Sequence, residues 1–324
     1  MFKTFTSLLS RPCLRRAVLA AVLVPGIAAA QADLIRIIVP IGAGNPFDSS
    51  ARVLAEAMSK STGKSVIVEN KAGAGGRIAT TEVAKAKPDG SVLLFTTAGH
   101  ATNAGLYDKL PYDPVKDFTP ITMVTQSSGF ALLVQANSPY KTAQDLIKAA
   151  KEQPERLSYG SFGNGNTTHV IGAMFARAAD IKLVHVPYKS PVTDFLGGHV
   201  NMVFMGASTA LPLLKDGRVR ALAISSEKRD PEFPGVPTFR ELGFQDVDVP
   251  AWSALLAPAG MPADRVEALF KQVSEAAKSP TYQEYLKVSQ AKLTLTPPQV
   301  FRKSLETEVA RFKKELPELG IKGD

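Results

Sequence analysis

Short, nearly unbroken apolar runs alternate with glycine-bearing polar loops and amphipathic stretches along most of this chain. That alternation limits the fold more than any other feature. The first run, Leu34-Ile35-Arg36-Ile37-Ile38-Val39-Pro40, is apolar apart from Arg36, as a strand covered on both faces requires. A glycine loop follows, and Asp48 or Ser49 is a suitable N-cap for a helix to about Met58. Ser65 to Glu69 reads as a strand, Ala72 to Gly76 as a turn, the stretch to about Lys85 as a helix and Val92 to Phe95 as a third strand. This rhythm predicts a parallel sheet with helices on both faces.

The rhythm restarts after Pro111–Pro120, a stretch with three prolines. Strands are expected at Ile121–Val124, Ala131–Val134, Leu157–Gly160 and Leu183–Val186, and helices at Thr142–Lys151 and His169–Ala178. A second sheet therefore occupies the middle of the chain. Asp248–Trp252, leading into Ala254–Ala257, reads as a return to the first sheet, and amphipathic helices are expected at Arg265–Lys278 and Gln299–Glu315. The expected division is residues 33–134 plus 250–324 as one domain and 135–249 as the other.

The longest apolar run, Ala17 to Ala30, is short of the roughly 20 residues of a membrane span. Lys3, Arg11, Arg15 and Arg16 precede it without an acid, and Ala30-Gln31-Ala32 follows. Residues 1–32 thus read as a secretory signal peptide, cleaved after Ala32 or, as the alternative, after Ala30. An uncleaved anchor is the competing reading. Cys13, the one cysteine, lies ahead of the run, so the mature chain would hold no disulfide, thiolate nucleophile or cysteine-based zinc site. Four of the 38 basic and none of the 30 acidic residues leave with the signal, which lowers the net charge from +8 to +4. With no basic–aromatic interleaving either, nucleic acid is not expected as a partner.

Three polar loops follow buried strands. They are Gly42-Ala43-Gly44-Asn45, Thr96-Thr97-Ala98-Gly99-His100 and Ser161-Phe162-Gly163-Asn164-Gly165-Asn166-Thr167-Thr168. Ligands of open α/β sheets bind beyond the carboxyl ends of strands. Glycines let backbone N–H groups approach a ligand, and helix N-termini favour anions. These loops offer neutral donors and no Lys or Arg, which suits a small carboxylate; three ordinary turns are the alternative. Sharper motifs fail. Gly73 to Ile78 has Ile where a dinucleotide fingerprint needs its third glycine, and no phosphate loop or Gly-x-Ser-x-Gly elbow is present. His100, His169, His185 and His199 show no metal-ligand spacing, so no metal or cofactor is expected. Asp48 and Arg52 read as an i, i+4 ion pair. Asp194 reads as a helix cap, and Trp252 either as core or as the lining of a cleft.

Taken together, the residues resemble a known family. The matching stretches include Ile37–Pro40 with Asp48 and Ala51-Arg52, Val68–Gly76, Lys87–Gly90, Leu110–Phe118, Tyr159-Gly160-Ser161 with Gly163-Asn164-Gly165, Val184–Lys189, Leu196-Gly197-Gly198 and Leu255–Gly260. They are similar to the periplasmic solute receptors of tripartite tricarboxylate transporters, the Bug family. The resemblance implies a two-domain α/β periplasmic binding protein fold (type II-like) with a ligand cleft between the domains. It also implies an exported, monomeric, non-enzymatic receptor that closes on a small organic acid and delivers it to membrane transporter subunits. The donor loops would be Gly42 to Asp48 and Ser161 to Thr168, with Thr96, Thr97 and His100 as a third contributor.

The departures concern ligand choice. The first loop of the family commonly reads Pro-Pro-Gly-Gly-Gly-Thr-Asp, where this chain has Gly42 to Asp48 with Phe47 at a small polar position. Phe162 stands at a position commonly Ala, and a Phe-Asp-Asn stretch appears as Phe204-Met205-Gly206, which places Met205 and Gly206 at a usual polar contact. The resulting hypothesis is a bulkier or aromatic acid packed on Phe47 and Phe162; the alternative is that both rings fill core. Two other functions stay open on sequence alone. One is a ligand-sensing receptor for a signalling partner, and the other a periplasmic hydrolase using Ser161 and His169.

Overall fold

The computed structural model describes residues 34–289 and 291–323. The expected signal peptide, its cleavage site and Cys13 lie outside them. The described chain forms two sheets. The first has six strands in the order β11-β4-β10-β3-β1-β2: β1 Leu34–Val39, β2 Ser65–Asn70, β3 Val92–Thr97, β4 Phe118–Gln126, β10 Trp252–Pro258 and β11 Lys292–Thr296. The second has five in the order β7-β6-β8-β5-β9: β5 Phe130–Gln135, β6 Ser158–Ser161, β7 Val184–Pro187, β8 Met202–Gly206 and β9 Val219–Ile224. The chain passes from the first sheet to the second after β4 and returns after β9. The expected boundary at 134/135 falls inside β5, which pairs entirely within the second sheet.

Neither sheet is purely parallel, contrary to the reading from rhythm. β1 pairs with β2 and β3 in parallel, but β10 runs antiparallel between β3 and β4. In the second sheet β5 runs antiparallel to both β8 and β9. The reason is connectivity. A strand that enters a sheet directly from the other sheet needs no helical crossover, so nothing forces it parallel to its neighbours.

The period-two alternation of β1 shows why the run is apolar. Ile35, Ile37 and Val39 pack under helices α1 Pro46–Thr62, α8 Ala263–Ala277 and α9 Pro280–Ser289. Ile38 faces the opposite core with α2 Arg77–Ala84, α3 Gly99–Leu106 and α10 Pro298–Glu318. Arg36, the interruption, sits on that second face but reaches an edge. There it is held bidentately by Glu69 at 2.6 and 2.7 Å and by Glu82 at 3.2 Å. The second sheet is covered by α4 Ala143–Glu152 and α5 Thr167–Ala178 on one face. On the other lie α6 Pro191–Leu196 and α7 Ala207–Lys215. Asp194, read as a cap, falls within the first turn of α6, whose N-cap is Ser190.

The α3–α10 contact depends on one missing methyl group. A side-chain carbon at Gly105 would run into the backbone carbonyl of Phe312, and a backbone obstacle cannot rotate away. Gly105→Ala is expected to lower stability by about 2 kcal/mol through overpacking, read as a lower urea midpoint with an unchanged slope.

Candidate functional site

The loop after β1 is built around its own polar groups. Asn45 caps α1, accepting from the Asp48 N–H at 3.0 Å, with Pro46 in the first turn. The cap is therefore Asn45, not Asp48 or Ser49; Pro46 and Phe47 read as loop in the sequence but begin the helix. Asp48 is 2% exposed. Its carboxylate accepts from the Gly44 N–H at 2.9 Å, Arg52 Nε at 3.0 Å and Asn70 Nδ2 at 2.8 Å. Burial alone would raise its pKa, but these bonds from Arg52, Gly44 and Asn70 hold it below the ordinary value. Asp48 thus spends its acceptors on fixing the loop, as the expected ion pair with Arg52 does in part.

The loop after β6 repeats the device. Asn166 caps α5, accepting from the Thr168 N–H and Oγ1, both at 3.0 Å, while Thr168 Oγ1 accepts from the Phe162 N–H at 3.1 Å. Beneath this loop Ser161 is fully buried, with Oγ 2.6 Å from His185 Nε2. His185 stacks on His169 with ring centroids 4.0 Å apart. Burial, then the neighbouring His169, pushes the His185 pKa down to about 3, so the ring is neutral. The base nearest Ser161 is therefore His185 and not His169; Ser161 is buried and His185 half-buried.

Two cavities open between the loops of the two sheets. The larger, 440 Å³, is lined among others by Gly42, Thr96, Thr97 and His100 from the first-sheet side and by Phe162, Asn164 and Asn166 from the second. The smaller, 140 Å³, takes Asn45, Phe47, Thr97, Phe162, Asn166, Thr167, Thr168 and Gly206. Ile41, Thr97, Phe162 and Asn166 border both and form the partition. Ala43, Gly44, Asp48, Ser161 and Met205 line neither. Met205 is fully buried in the core of the second sheet, because the strand period turns it inward where Gly206 reaches the cavity. The Phe47 ring rests on Phe95 at 4.7 Å and also borders the smaller cavity. Phe162 is half-buried and belongs to no core cluster among the described residues.

Sequence reasoning missed much of the lining. The larger cavity also takes the Gly73–Gly76 turn, Arg77, Asn103 and Lys189. The signal is a glycine-rich turn after a strand, legible in the sequence as a turn and as part of the family resemblance but not as cavity lining. The smaller cavity adds Ser127, Phe130, Trp252 and Tyr285, which come from the chain crossings and from a helix far along the sequence. Trp252 satisfies both of its readings. Its ring packs edge-on against Phe301 at 5.6 Å and borders the cavity, and its Nε1–H donates to Glu308 at 3.0 and 3.2 Å. Burial raises the Glu308 pKa to about 7, against the lowering effect of the Trp252 bond and of Arg311.

The larger cavity lies within the roughly 300–1,000 Å³ of small-molecule sites. Its charged lining is Arg77 and Lys189, with no acid. The smaller has no charged side chain and is rich in aromatic rings. Such a pair of lobes can hold a small molecule with an anionic end and an apolar body.

Known proteins share this architecture. The sequence profile of the tripartite tricarboxylate transporter family receptor matches residues 50–321. The UPF0065 protein in the tcbD-tcbE intergenic region of Pseudomonas sp. (strain P51) is 34% identical over 285 residues, 87% of this chain and 84% of its own length. The periplasmic binding protein BugD superposes with a TM-score of 0.83 at 31% identity, covering 90% of this chain and 98% of its own. MatC from Rhodopseudomonas palustris, with bound malate, gives a TM-score of 0.82 at 30% identity, with 86% and 97% covered.

Proposed function

The chain belongs to the tripartite tricarboxylate transporter receptor family of periplasmic solute-binding proteins, and from that membership we propose that it captures a small organic acid between its two sheets and presents it to membrane transporter subunits. The observation that carries the reading is the 440 Å³ cavity. It is lined from both sheets by glycine-bearing loops, and its only charged side chains are basic. Opposite charge and oriented N–H groups favour a carboxylate there. The similar MatC holds malate, a ligand of that chemistry.

In this reading the first-sheet body, residues 34–126 with 252–323, and the second-sheet body, residues 130–249, close by a hinge motion about the two chain crossings. Export would remove residues 1–32 after Ala32, and the receptor would work as a monomer. The acid is bulky or aromatic, with its apolar part in the smaller lobe against Phe47, Phe130, Phe162 and Trp252.

A thermal-shift series with malate, adipate, benzoate and 3-phenylpropanoate tests this. At about 100 times its dissociation constant, a ligand adds roughly 2.7 kcal/mol of stability. A shift with at least one acid is expected, larger for an aromatic acid than for an aliphatic one of similar length, with that preference lost in the Phe47→Ala, Phe162→Ala double variant. Shifts confined to aliphatic acids would remove the aromatic part of the reading. The carboxylate reading falls if no acid shifts the melt and mass spectrometry of denatured protein releases none.

A further inference from the structure

The return crossing from the second sheet is fastened at both ends by one helix. Glu308 and Arg311 lie three residues apart on α10 and therefore on one helix face. At the start of the crossing Arg311 Nη2 donates to the Asp248 carbonyl oxygen at 3.2 Å. At its end Trp252 Nε1–H donates to the Glu308 carboxylate at 3.0 and 3.2 Å. Between them the Ala251 carbonyl accepts from the Ser127 N–H at 2.8 Å, which ties the return crossing to the outgoing one. Trp252 stands between two environments. Its ring borders the smaller cavity, while its N–H ends on a carboxylate that lines neither cavity. Whatever fixes Trp252 therefore fixes a wall of the smaller lobe and the first residue of β10.

Few charged groups act on Glu308. Arg311 favours its ionised form, and Asp248, from the crossing, disfavours it. β4, which packs against α10, carries no titratable side chain. The only one on α3, His100, is turned to the Pro114 carbonyl, and no charged side chain of α8 acts on Glu308. Burial outweighs Arg311 and leaves the Glu308 pKa at about 7, so the group is poised between its two forms near neutral pH. An organic acid entering the cleft removes water from the Trp252 side and brings a negative charge. Both changes disfavour a carboxylate and favour the neutral carboxylic acid.

We propose, building on the carboxylate reading, that Glu308 is a positioning residue of the site: it holds Trp252 against the ligand and takes up a proton from solvent when the two sheets close on an organic acid. Capture of the anion is thereby coupled to proton uptake. Binding is strongest below neutral pH and weakens as the pH rises. The protonated carboxyl keeps its carbonyl oxygen as an acceptor for the Trp252 Nε1–H, so the wall stays in place in both forms.

Trp252 is the only tryptophan of the sequence, so its fluorescence reports on its acceptor. The emission of the ligand-free protein should step with a midpoint near pH 7, and Glu308→Gln should show no such step; a native emission without it overturns the proposal. Titration calorimetry with malate and with 3-phenylpropanoate at pH 7, in phosphate and in Tris, then counts protons. For a pKa raised by about one further unit on binding, roughly 0.4 proton is taken up per ligand, and the affinity falls about tenfold from pH 6 to pH 9. Glu308→Gln keeps an acceptor for the Trp252 N–H and should bind without proton uptake, with an affinity that is flat over that range. Glu308→Ala lacks the acceptor and should bind more weakly throughout. If Glu308→Gln fails to fold, the buffer dependence and the fluorescence midpoint of the native protein still decide. An acid that binds with equal heat in both buffers would overturn the coupling while the carboxylate reading stands. A buffer-dependent heat that persists in Glu308→Gln would place the proton elsewhere and overturn the role given to Glu308. Binding of neither acid would remove the coupling and the carboxylate reading together.

Discussion

Gly75→Ala is expected to weaken ligand binding by about 10- to 100-fold while the protein stays folded. Gly75 sits in the turn before α2 with φ +62°, and a side-chain carbon there would lie 2.6 Å from the backbone oxygen of Asn164. Asn164 belongs to the β6 loop of the other sheet, so the collision exists only when the two loops meet across the larger cavity. Overpacking of a well-fitted contact costs about 1–3 kcal/mol. Here that cost falls on the closed arrangement alone, and an arrangement less populated by that factor lowers the apparent affinity in proportion. The left-handed backbone adds its own strain of about 1–2 kcal/mol, which is present whether or not the loops meet. Gly63→Ala isolates it, because Gly63 has φ +71° and open space around it. Calorimetry should show full affinity in Gly63→Ala and a loss in Gly75→Ala. Small-angle scattering of the ligand-saturated protein should show a larger radius of gyration for Gly75→Ala. Equal affinities in the two variants would mean that these loops need not touch for binding.

The elements that were legible in the sequence are those whose burial is decided locally. β1 reads as a strand buried on both faces because each of its alternate residues meets a helix, and the two cores under Ile37 and Ile38 bear that out. The polar loops after β1 and β6 were legible because strand ends and glycines announce them. What stayed hidden depends on partners far along the chain. The reversal of β10 between β3 and β4 leaves no local trace, since its residues are apolar whichever way it runs. Helix α3 starts with Gly99 and has no capping side chain, so nothing marks its beginning, and Asn103 was passed over with it. The site residues divide in the same way. Loop position makes Thr97, Phe162 and Asn166 candidate site residues, and in the structure all three border both cavities. It could not tell Asp48, which turns inward to bind Gly44, Arg52 and Asn70, from a residue facing a ligand. Polarity at a strand end does not say whether the loop itself has already used the group.

Glu308→Gln is expected to stabilise the protein at pH 8 and to leave it unchanged near pH 4. The folded protein holds the Glu308 proton more tightly than the unfolded chain does, with a pKa raised from 4.5 to about 7, chiefly by burial. Its contribution to stability is therefore complete below about pH 4.5 and is lost as the pH rises through about 7. Gln keeps an oxygen for the Trp252 Nε1–H and never ionises, so the loss disappears. The gain at pH 8 is at most about 3 kcal/mol, a rise in melting temperature of roughly 5–10 °C. His100 and His185 act with the opposite sign. Burial lowers their pKa values from 6.5 to about 4 and about 3. Their contribution is complete above pH 6.5 and is lost as the pH falls towards those values, because the unfolded chain takes up the protons first. Between pH 6.5 and 4.5 Glu308 offsets part of that loss in the native protein. Without it the two imidazoles act unopposed, so the melting temperature of Glu308→Gln should fall more steeply on acidification than that of the native protein. A pH series of thermal melts reads both effects at once. A difference between the two proteins that stays constant from pH 4 to pH 8 would show that Glu308 ionises in the folded protein at its ordinary value of 4.5, despite its burial.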